Sequence, residues 1–136
     1  MDRTILVVVL ACVIGCSAVA KDVGQTLPPD GVLDGGSNDQ ISAGSTRLVM
    51  QRDCNLVVYR GDRVAWATRT NGRGSACRLV MQRDGNLVVY GDGGTRVIWA
   101  SRTVRYGGAT LTAQEDGNVV LYQGTAARWS TRTGRR

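Results

Sequence analysis

The sequence of 136 residues contains no histidine and no phenylalanine. The missing histidine removes the commonest general base and the commonest metal ligand, which excludes Ser-His-Asp, Cys-His and histidine-zinc chemistry. Any catalysis would therefore depend on carboxylates. The length allows one ordinary domain and excludes two large ones. Acidic residues are fewer than basic ones, 11 against 17, and the net charge of +6 favours anionic partners in general without selecting one.

Long apolar runs are scarce, and the clearest one lies near the N-terminus. Residues 5–16 are largely apolar, charged residues precede them, and residues 18–20 have the small-x-small form of a secretory cleavage site. The run is too short to span a bilayer. We predict that residues 1–20 are a signal peptide, so that the mature protein is secreted or vacuolar and has no membrane insertion. Two alternatives remain open, a buried N-terminal strand or helix, and a lipobox acylated at Cys16.

Two of the four cysteines, Cys54 and Cys77, follow the predicted cleavage site. In an oxidising compartment an even pair in a small domain forms, most simply, one disulfide with a single possible connectivity. Such a bond stabilises a domain by about 3 kcal/mol on the loop-entropy model. The alternative, two buried thiols, applies if the chain is never exported.

An internal repeat is the most informative feature of the sequence. The segment Arg47–Tyr59 recurs almost unchanged as Arg78–Tyr90 and more loosely as Thr110–Tyr122. With the flanking residues, the repeats span about 47–68, 78–101 and 110–131 of a predicted domain at 21–136. Each copy precedes a tryptophan in a similar setting, namely Trp66, Trp99 and Trp129. Three copies of one unit predict a pseudo-threefold architecture, with the tryptophans meeting at its axis.

The local pattern of each repeat is that of β-structure. Short runs rich in Val, Leu, Tyr and Trp are separated by Asp-Gly, Gly-Asp, Asn-Gly and Gly-Gly, and no window sustains an apolar stripe of helical period. We therefore predict an all-β domain with three small antiparallel sheets around an axis.

The central hairpin of the second repeat illustrates the expected geometry. A three-residue loop, Arg83 to Gly85, joins two strands and has glycine where a type I turn with a bulge needs a left-handed residue. The period of two then places on one face Gln82, Asn86, Val88 and Tyr90. The same alternation places on the core face Leu79, Met81, Leu87 and Val89.

Five residue types keep the same offsets in all three copies. They are Gln51, Asp53, Asn55, Val57 and Tyr59; Gln82, Asp84, Asn86, Val88 and Tyr90; and Gln114, Asp116, Asn118, Val120 and Tyr122. A carboxylate acceptor beside an amide donor suits a sugar hydroxyl, which both donates and accepts, and valine offers an apolar contact for ring carbons. The alternative is that Asp-Gly-Asn is only turn chemistry. The first copy disfavours it, because Cys54 replaces the turn glycine while the five residues remain.

This thrice-repeated pattern resembles the signature of the bulb-type mannose-binding lectins of monocots, which have the β-prism II fold. The similarity covers roughly residues 33 to 133. It implies that Asp and Asn hold the 2-hydroxyl of mannose, Gln the 3-hydroxyl and Tyr the 4-hydroxyl, with Val against the ring carbons and no metal or other cofactor. It also implies a homodimer formed by exchange of a C-terminal strand at about 127–133, and a role in defence.

We therefore predict a binding protein for mannose-containing glycans rather than an enzyme. One alternative is a carboxylate-based glycosidase, which needs two acids flanking one sugar, whereas each repeat offers one invariant aspartate. A nucleic-acid partner is disfavoured, because few aromatic residues could form a stacking platform. The last alternative is a storage or interaction member of the same fold that does not bind sugar.

Overall fold

A computed structural model describes residues 5–8 and 19–135, which form β-strands and two short 3-10 turns, at Gly35–Ser37 and Asp92–Gly94. The strands are β1 (Ile5–Val8), β2 (Val19–Asp22), β3 (Thr26–Leu27), β4 (Val32–Asp34), β5 (Gln40–Ala43), β6 (Thr46–Met50), β7 (Leu56–Arg60), β8 (Arg63–Ala67), β9 (Arg78–Met81), β10 (Leu87–Gly91), β11 (Arg96–Ala100), β12 (Thr110–Ala113), β13 (Val119–Gln123) and β14 (Ala126–Ser130). The predicted all-β class is confirmed.

Three sheets divide these strands between them. Each repeat supplies three consecutive antiparallel strands, β6-β7-β8, β9-β10-β11 and β12-β13-β14. A fourth strand joins each sheet from the segment before the first repeat: β5 pairs with β6, β4 with β9, and β3 with β12. One stretch of chain, residues 26–43, therefore closes all three sheets. The sequence pattern did not predict this division.

The N-terminal strands extend the first sheet. β1 pairs with β2 in antiparallel fashion, and β2 continues onto β5 through one parallel pair, Asp22 with Gln40. Much of the predicted signal peptide, including Cys16 of the alternative lipobox, lies outside the described residues, and cleavage after Ala20 stays a prediction. Within the ranges described, the structure has no helix that is long and apolar enough to cross a membrane.

The core lies between the inner faces of the three sheets. The four residues predicted for the core face of the second hairpin are completely buried, as are their counterparts in the first and third. These counterparts are Leu48, at 1% exposure, Met50, Leu56 and Val58 in the first hairpin and Leu111, Ala113, Val119 and Leu121 in the third. The alternation in sequence therefore predicted correctly which face of each hairpin turns inward.

The three tryptophans meet at the axis, as predicted. Trp66, Trp99 and Trp129 contact one another edge to face, with ring centroids 5.7 to 5.9 Å apart. Such arrangements are favoured because the positive edge of one ring meets the negative face of the next. The predicted disulfide is also present: Cys54 and Cys77 are bonded, with their Cα atoms 5.3 Å apart.

Candidate functional site

The three hairpin turns share one backbone geometry. In the second repeat the N–H of Gln82 donates to the carbonyl of Asn86 at 2.9 Å, so these residues lie opposite each other as predicted. The N–H of Gly85 closes the turn onto the carbonyl of Gln82 at 3.0 Å, and its φ is +94°. Gly117 and Cys54 occupy the same position with φ of +98° and +75°. The first repeat therefore adopts the left-handed conformation without glycine.

The aspartate of each motif is fixed by the turn that it helps to form. Oδ1 of Asp84 accepts a hydrogen bond from the backbone N–H of Asn86 at 2.9 Å. The same bond, also 2.9 Å long, joins Asp53 to Asn55 and Asp116 to Asn118. Each carboxylate is exposed, and its Oδ2 has no hydrogen-bond partner among the described residues. One oxygen thus orients the side chain, and the other faces solvent as an acceptor.

The asparagine is held through its oxygen. Oδ1 of Asn86 accepts from the hydroxyl of Ser101 at 3.3 Å and from the N–H of Thr103 at 3.2 Å. Equivalent pairs of bonds hold Asn55, from Thr68 and Thr70, and Asn118, from Thr131 and Thr133. Because the oxygen is occupied, the amide orientation is set, and the Nδ2 group is directed outward as a donor.

Glutamine and tyrosine form the third internal contact. Nε2 of Gln82 donates to the hydroxyl of Tyr90, and Gln51 makes the same bond to Tyr59. In the third repeat Gln114 donates to Tyr122 at 2.6 Å. The tyrosine oxygen is therefore an acceptor within the protein, which leaves its own proton available to a ligand. The Oε1 atom of the glutamine remains an acceptor.

The valine of each motif forms the floor between these polar groups. Val57, Val88 and Val120 share the sheet face of the other four residues, as predicted, but only 2 to 3% of each is exposed. A ligand would therefore reach only the edge of the valine. The structure brings all fifteen motif residues together as three separate faces. Their role as ligand contacts stays a prediction.

A second recurring segment, which the sequence analysis did not assign to the site, supports each turn from behind. It reads Trp, small residue, Ser or Thr, Arg, Thr, at Trp66–Thr70, Trp99–Thr103 and Trp129–Thr133. The final threonine of each copy donates its hydroxyl to the carbonyl of the turn residue at 2.6 Å. The same segments supply the donors to the asparagines. Its recurrence after each copy of the motif was the signal that could have revealed it.

The first face opens into a cavity of about 570 Å³. Three of its five motif residues, Gln51, Asp53 and Tyr59, line this cavity, together with Arg47 and Asp62. With Arg52, which also lines the cavity, three charged residues outside the motif border the first face.

The residue opposite the motif tyrosine differs between the repeats. In the first repeat it is Arg47, whose guanidinium carbon lies 4.7 Å from the centre of the Tyr59 ring. In the second repeat the paired residue is Arg78, and in the third it is Thr110. The three faces thus share their hydrogen-bonding groups, and only the third lacks an arginine opposite the motif tyrosine.

The arrangement is suited to binding neutral polar ligands. Each face combines a carboxylate acceptor, an amide donor and a phenol that are already oriented by bonds inside the protein, which reduces the entropy lost on binding. Within residues 21–135, no three cysteine or acidic side chains come together as a group that could hold a metal ion.

Comparison with known proteins finds relatives that are named mannose-specific lectins. No family model matches the sequence. A mannose-specific lectin from Aloe arborescens is 42% identical over 100 residues, which cover 72% of this chain and 89% of the Aloe protein. Relatives from Colocasia esculenta are longer, and the chain spans 39% of one of them.

Solved structures extend the likeness to the fold. A monomeric monocot mannose-binding lectin from Gastrodia elata superposes with a TM-score of 0.75 at 40% identity, covering 82% of this chain and 99% of its own. The mannose-specific agglutinin of snowdrop (Galanthus nivalis), solved with methyl-α-D-mannoside, gives a TM-score of 0.65 at 42% identity with the same coverage of both chains. Its complex shows that a chain of this fold binds a mannoside.

Proposed function

Because the chain belongs to the bulb-type mannose-binding lectins of monocots, with the β-prism II fold, we propose that it binds mannose and oligomannose glycans through its three motif faces and carries out no reaction on them. One observation carries the proposal. All three repeats make the same internal hydrogen bonds and leave the same groups free, an aspartate oxygen, an asparagine amide and a tyrosine proton.

The free groups match the hydroxyls of one hexose. Oδ2 of Asp84 would accept from the 2-hydroxyl while Nδ2 of Asn86 donates to it, so that this hydroxyl is satisfied in both directions. Oε1 of Gln82 would accept from the 3-hydroxyl, and Tyr90 would donate to the 4-hydroxyl. A sugar with an equatorial 2-hydroxyl would leave a polar group unpaired, which accounts for discrimination.

Affinity would come from the number of sites. A shallow face that grips one monosaccharide binds with a dissociation constant on the order of millimolar. Three such faces on one chain, engaged by a branched glycan, raise the overall avidity by making the later contacts intramolecular. A defence role, directed at glycans on other organisms, remains an expectation from the family resemblance.

The isosteric replacement of the three motif aspartates tests this function. In the triple variant Asp53→Asn, Asp84→Asn and Asp116→Asn, Oδ1 still accepts the turn hydrogen bond, whereas Oδ2 becomes an amide donor. We expect the wild type to be retained on immobilised mannose and to be eluted by mannose but not by galactose. Its binding to mannose should persist in the presence of a chelator. The triple variant should flow through with an unchanged circular dichroism spectrum.

A control variant separates this effect from a change in net charge. Asp62→Asn removes an exposed carboxylate beside the first face but outside the motif. It should bind mannose like the wild type. Retention of the triple variant on mannose, or equal elution of the wild type by galactose, would refute the proposed contacts.

The glycosidase alternative has one feature in its favour. The first cavity is lined by two carboxylates, Asp53 and Asp62. The position of Asp62 in the β7–β8 hairpin has no carboxylate in the third repeat, where the corresponding loop is Gly124 and Thr125. A function that the three repeats share therefore does not depend on paired acids. Release of nitrophenol from a nitrophenyl mannoside by the wild type, abolished in Asp62→Asn, would establish hydrolysis instead.

Export and assembly are separate parts of the proposal. Sequencing of the secreted protein should give Lys21 as the first residue, whereas a lipid-modified Cys16 would support the alternative. The proposed dimer by strand exchange rests on the family resemblance. In this chain β14 pairs with β13 of the same chain. In the dimer, the equivalent strand of a second chain would take the place of β14. Sedimentation at twice the protomer mass is the expected result, and the monomeric lectin of Gastrodia elata illustrates the opposite outcome.

A further inference from the structure

The hairpin end of each repeat meets a neighbouring loop, and a hydrogen bond from a hairpin side chain crosses each of these three junctions. At the second junction, Asp92 accepts from the N–H of Ser75 at 3.1 Å, and Arg96 donates to the carbonyl of Arg73. At the third junction, Gln123 donates to the carbonyl of Gly107 at 3.2 Å. Side chains of the hairpin therefore bond directly to the neighbouring loop at both junctions.

The first junction differs in having a cleft beside its hydrogen bond. Nη1 of Arg60 reaches the carbonyl of Thr133 at 3.5 Å, and beside this contact lies a cleft of about 500 Å³. Three arginines, the hydroxyl-bearing Ser45 and an apolar wall line the cleft, namely Arg60, Arg63, Arg135, Ser45, Val64 and Ala65. None of the described residues that line the cleft is acidic.

None of these arginines forms an ion pair among the described residues. Arg63 and Arg96 occupy equivalent positions at the start of the last strand of their repeats, but Arg96 pairs with Asp92 at 3.5 Å. The other ion pair found among the described residues joins Arg83 to Asp30. Three arginines therefore line one cleft, and none of their guanidinium groups has a carboxylate within 4 Å in the described part of the chain.

The cleft adjoins the third motif face. Arg60 is half-buried and packs on the turn, since a Cβ at Gly117 would lie 2.5 Å from its Nε atom. The backbone N–H of Arg135 donates to the carbonyl of Asp116 at 2.8 Å. These contacts hold two of the three arginines against the backbone that carries the third face.

From this geometry we propose that the cleft binds an anionic group, a sulfate or a phosphate, carried by a glycan. Guanidinium groups suit such oxyanions because each presents several N–H donors in a fixed plane together with a positive charge. The Ser45 hydroxyl adds a neutral donor. A neutral sugar on the third face and an acidic substituent in the cleft would then be parts of one ligand.

Titration with sodium sulfate tests the cleft directly. Amide chemical shifts are followed by NMR at constant ionic strength, with sodium chloride as the reference salt. We expect saturable shifts confined to the cleft, at residues such as Ser45, Gly61 and Arg135. In the variant Arg63→Gln with Arg135→Gln, the sulfate dissociation constant should rise about tenfold, because charge-assisted hydrogen bonds are lost.

A matched variant distinguishes the cleft from general attraction by a basic protein. Arg69→Gln with Arg105→Gln removes the same charge from exposed positions outside the cleft. It should leave sulfate affinity unchanged. Equal weakening in both double variants, or shifts that never saturate, would overturn the proposal.

The source of the anion is tested with a sulfated mannan oligosaccharide and its desulfated form. Binding to a glycan substituent requires that the sulfated form bind the wild type more tightly, with the advantage lost in Arg63→Gln with Arg135→Gln. Sulfate binding without this advantage would assign the cleft to free anions and refute the glycan part. The sulfate titration does not need mannose binding, so its failure is distinct from failure of the proposed lectin function.

Discussion

The first and second motif turns reach the same conformation by different means. In the second turn Gly85 takes a φ of +94°, and a Cβ there would overlap the backbone carbonyl of Tyr106. In the first turn Cys54 takes a φ of +75° although it has a side chain, and its sulfur is bonded to Cys77. A covalent bond in one repeat replaces the conformational freedom of glycine in another.

This difference shows what the site requires of its turn. Both turns make the same bond from Asp Oδ1 to the N–H two residues on, at 2.9 Å. The requirement is therefore a left-handed backbone at the fourth turn position, rather than glycine itself. For this reason the first repeat can keep all five motif residues although Cys54 stands in place of the glycine.

Removal of the disulfide should have the largest effect on the first turn. We expect Cys54→Ser with Cys77→Ser to lower the free energy of unfolding by about 3 kcal/mol, measured by urea denaturation. Cys54→Gly with Cys77→Ser should recover about 1 kcal/mol of this loss, because glycine takes a positive φ without strain. Equal stability of the two variants would show that the strain at Cys54 is negligible.

Alanine at the turn glycines compares the second and third turns. Gly85→Ala should lower the free energy of unfolding by about 2 to 3 kcal/mol, because the methyl group meets the rigid backbone of Tyr106 as well as a positive φ. Gly117→Ala should cost only about 1 kcal/mol, since the side chain of Arg60 can move aside. Thermal denaturation of both variants measures the difference, and the reverse order would contradict it.

Replacement of the supporting threonines compares the first turn, which the disulfide holds, with the second turn, which contains Gly85 instead of a cysteine. Thr103→Val removes the hydroxyl that donates to the Gly85 carbonyl and should cost about 1 to 2 kcal/mol of stability and weaken mannose binding at the second face. Thr70→Val should have a similar stability cost but a smaller effect on the first face, because the disulfide still holds Cys54. Site-resolved NMR titration with methyl mannoside distinguishes the two, and equal loss of affinity would count against bracing by the disulfide.

The arginine beside the first face should have a modest effect. Arg47 lies over the Tyr59 ring, a contact worth about 0.5 to 1 kcal/mol at an exposed site. We expect Arg47→Gln to weaken mannose binding at the first face by about two- to fivefold, because the ring is held less firmly. Arg78→Gln is the control, as no such contact is found at Tyr90, and it should leave the second face unchanged in the same titration.

The smallest expected effect is a pH-dependent change in stability at Asp39, which immediately precedes β5 of the first sheet. The backbone carbonyls of Asp39, Gly31 and Gln25 have equivalent roles, because they accept hydrogen bonds from the N–H groups of Met50, Met81 and Ala113. Of these three residues only Asp39 has a carboxylate, and it is buried.

Burial raises the pKa of Asp39 above its ordinary value of 3.8, and its Oδ1 has no hydrogen-bond partner. The folded state therefore binds this proton more readily than the unfolded state, and the contribution of Asp39 to stability increases as pH falls through the folded pKa toward 3.8. Asp39→Asn should be more stable than the wild type at neutral pH, with an advantage that shrinks over this range. A constant difference across the same pH range, measured by urea denaturation, would contradict it.

The sequence was informative where contacts are local. Gln82 faces Asn86, and Leu79 and Val89 are buried, because the period of a hairpin and the type of its turn depend on adjacent residues. The role of Thr103 was missed, because its contact with Gly85 joins residues 18 apart in the chain. The division of residues 26–43 among three sheets was missed for the same reason.

The sequence by itself determined the repeat, the inward face of each hairpin and the set of polar residues on the opposite face, because alternation along a strand is a local property. Only the tertiary structure decided which oxygen of each motif residue is already occupied, and that a cleft lies beside the first of the three junctions. Those outcomes depend on side chains brought together from distant segments, and their packing is not encoded in the spacing of any one repeat.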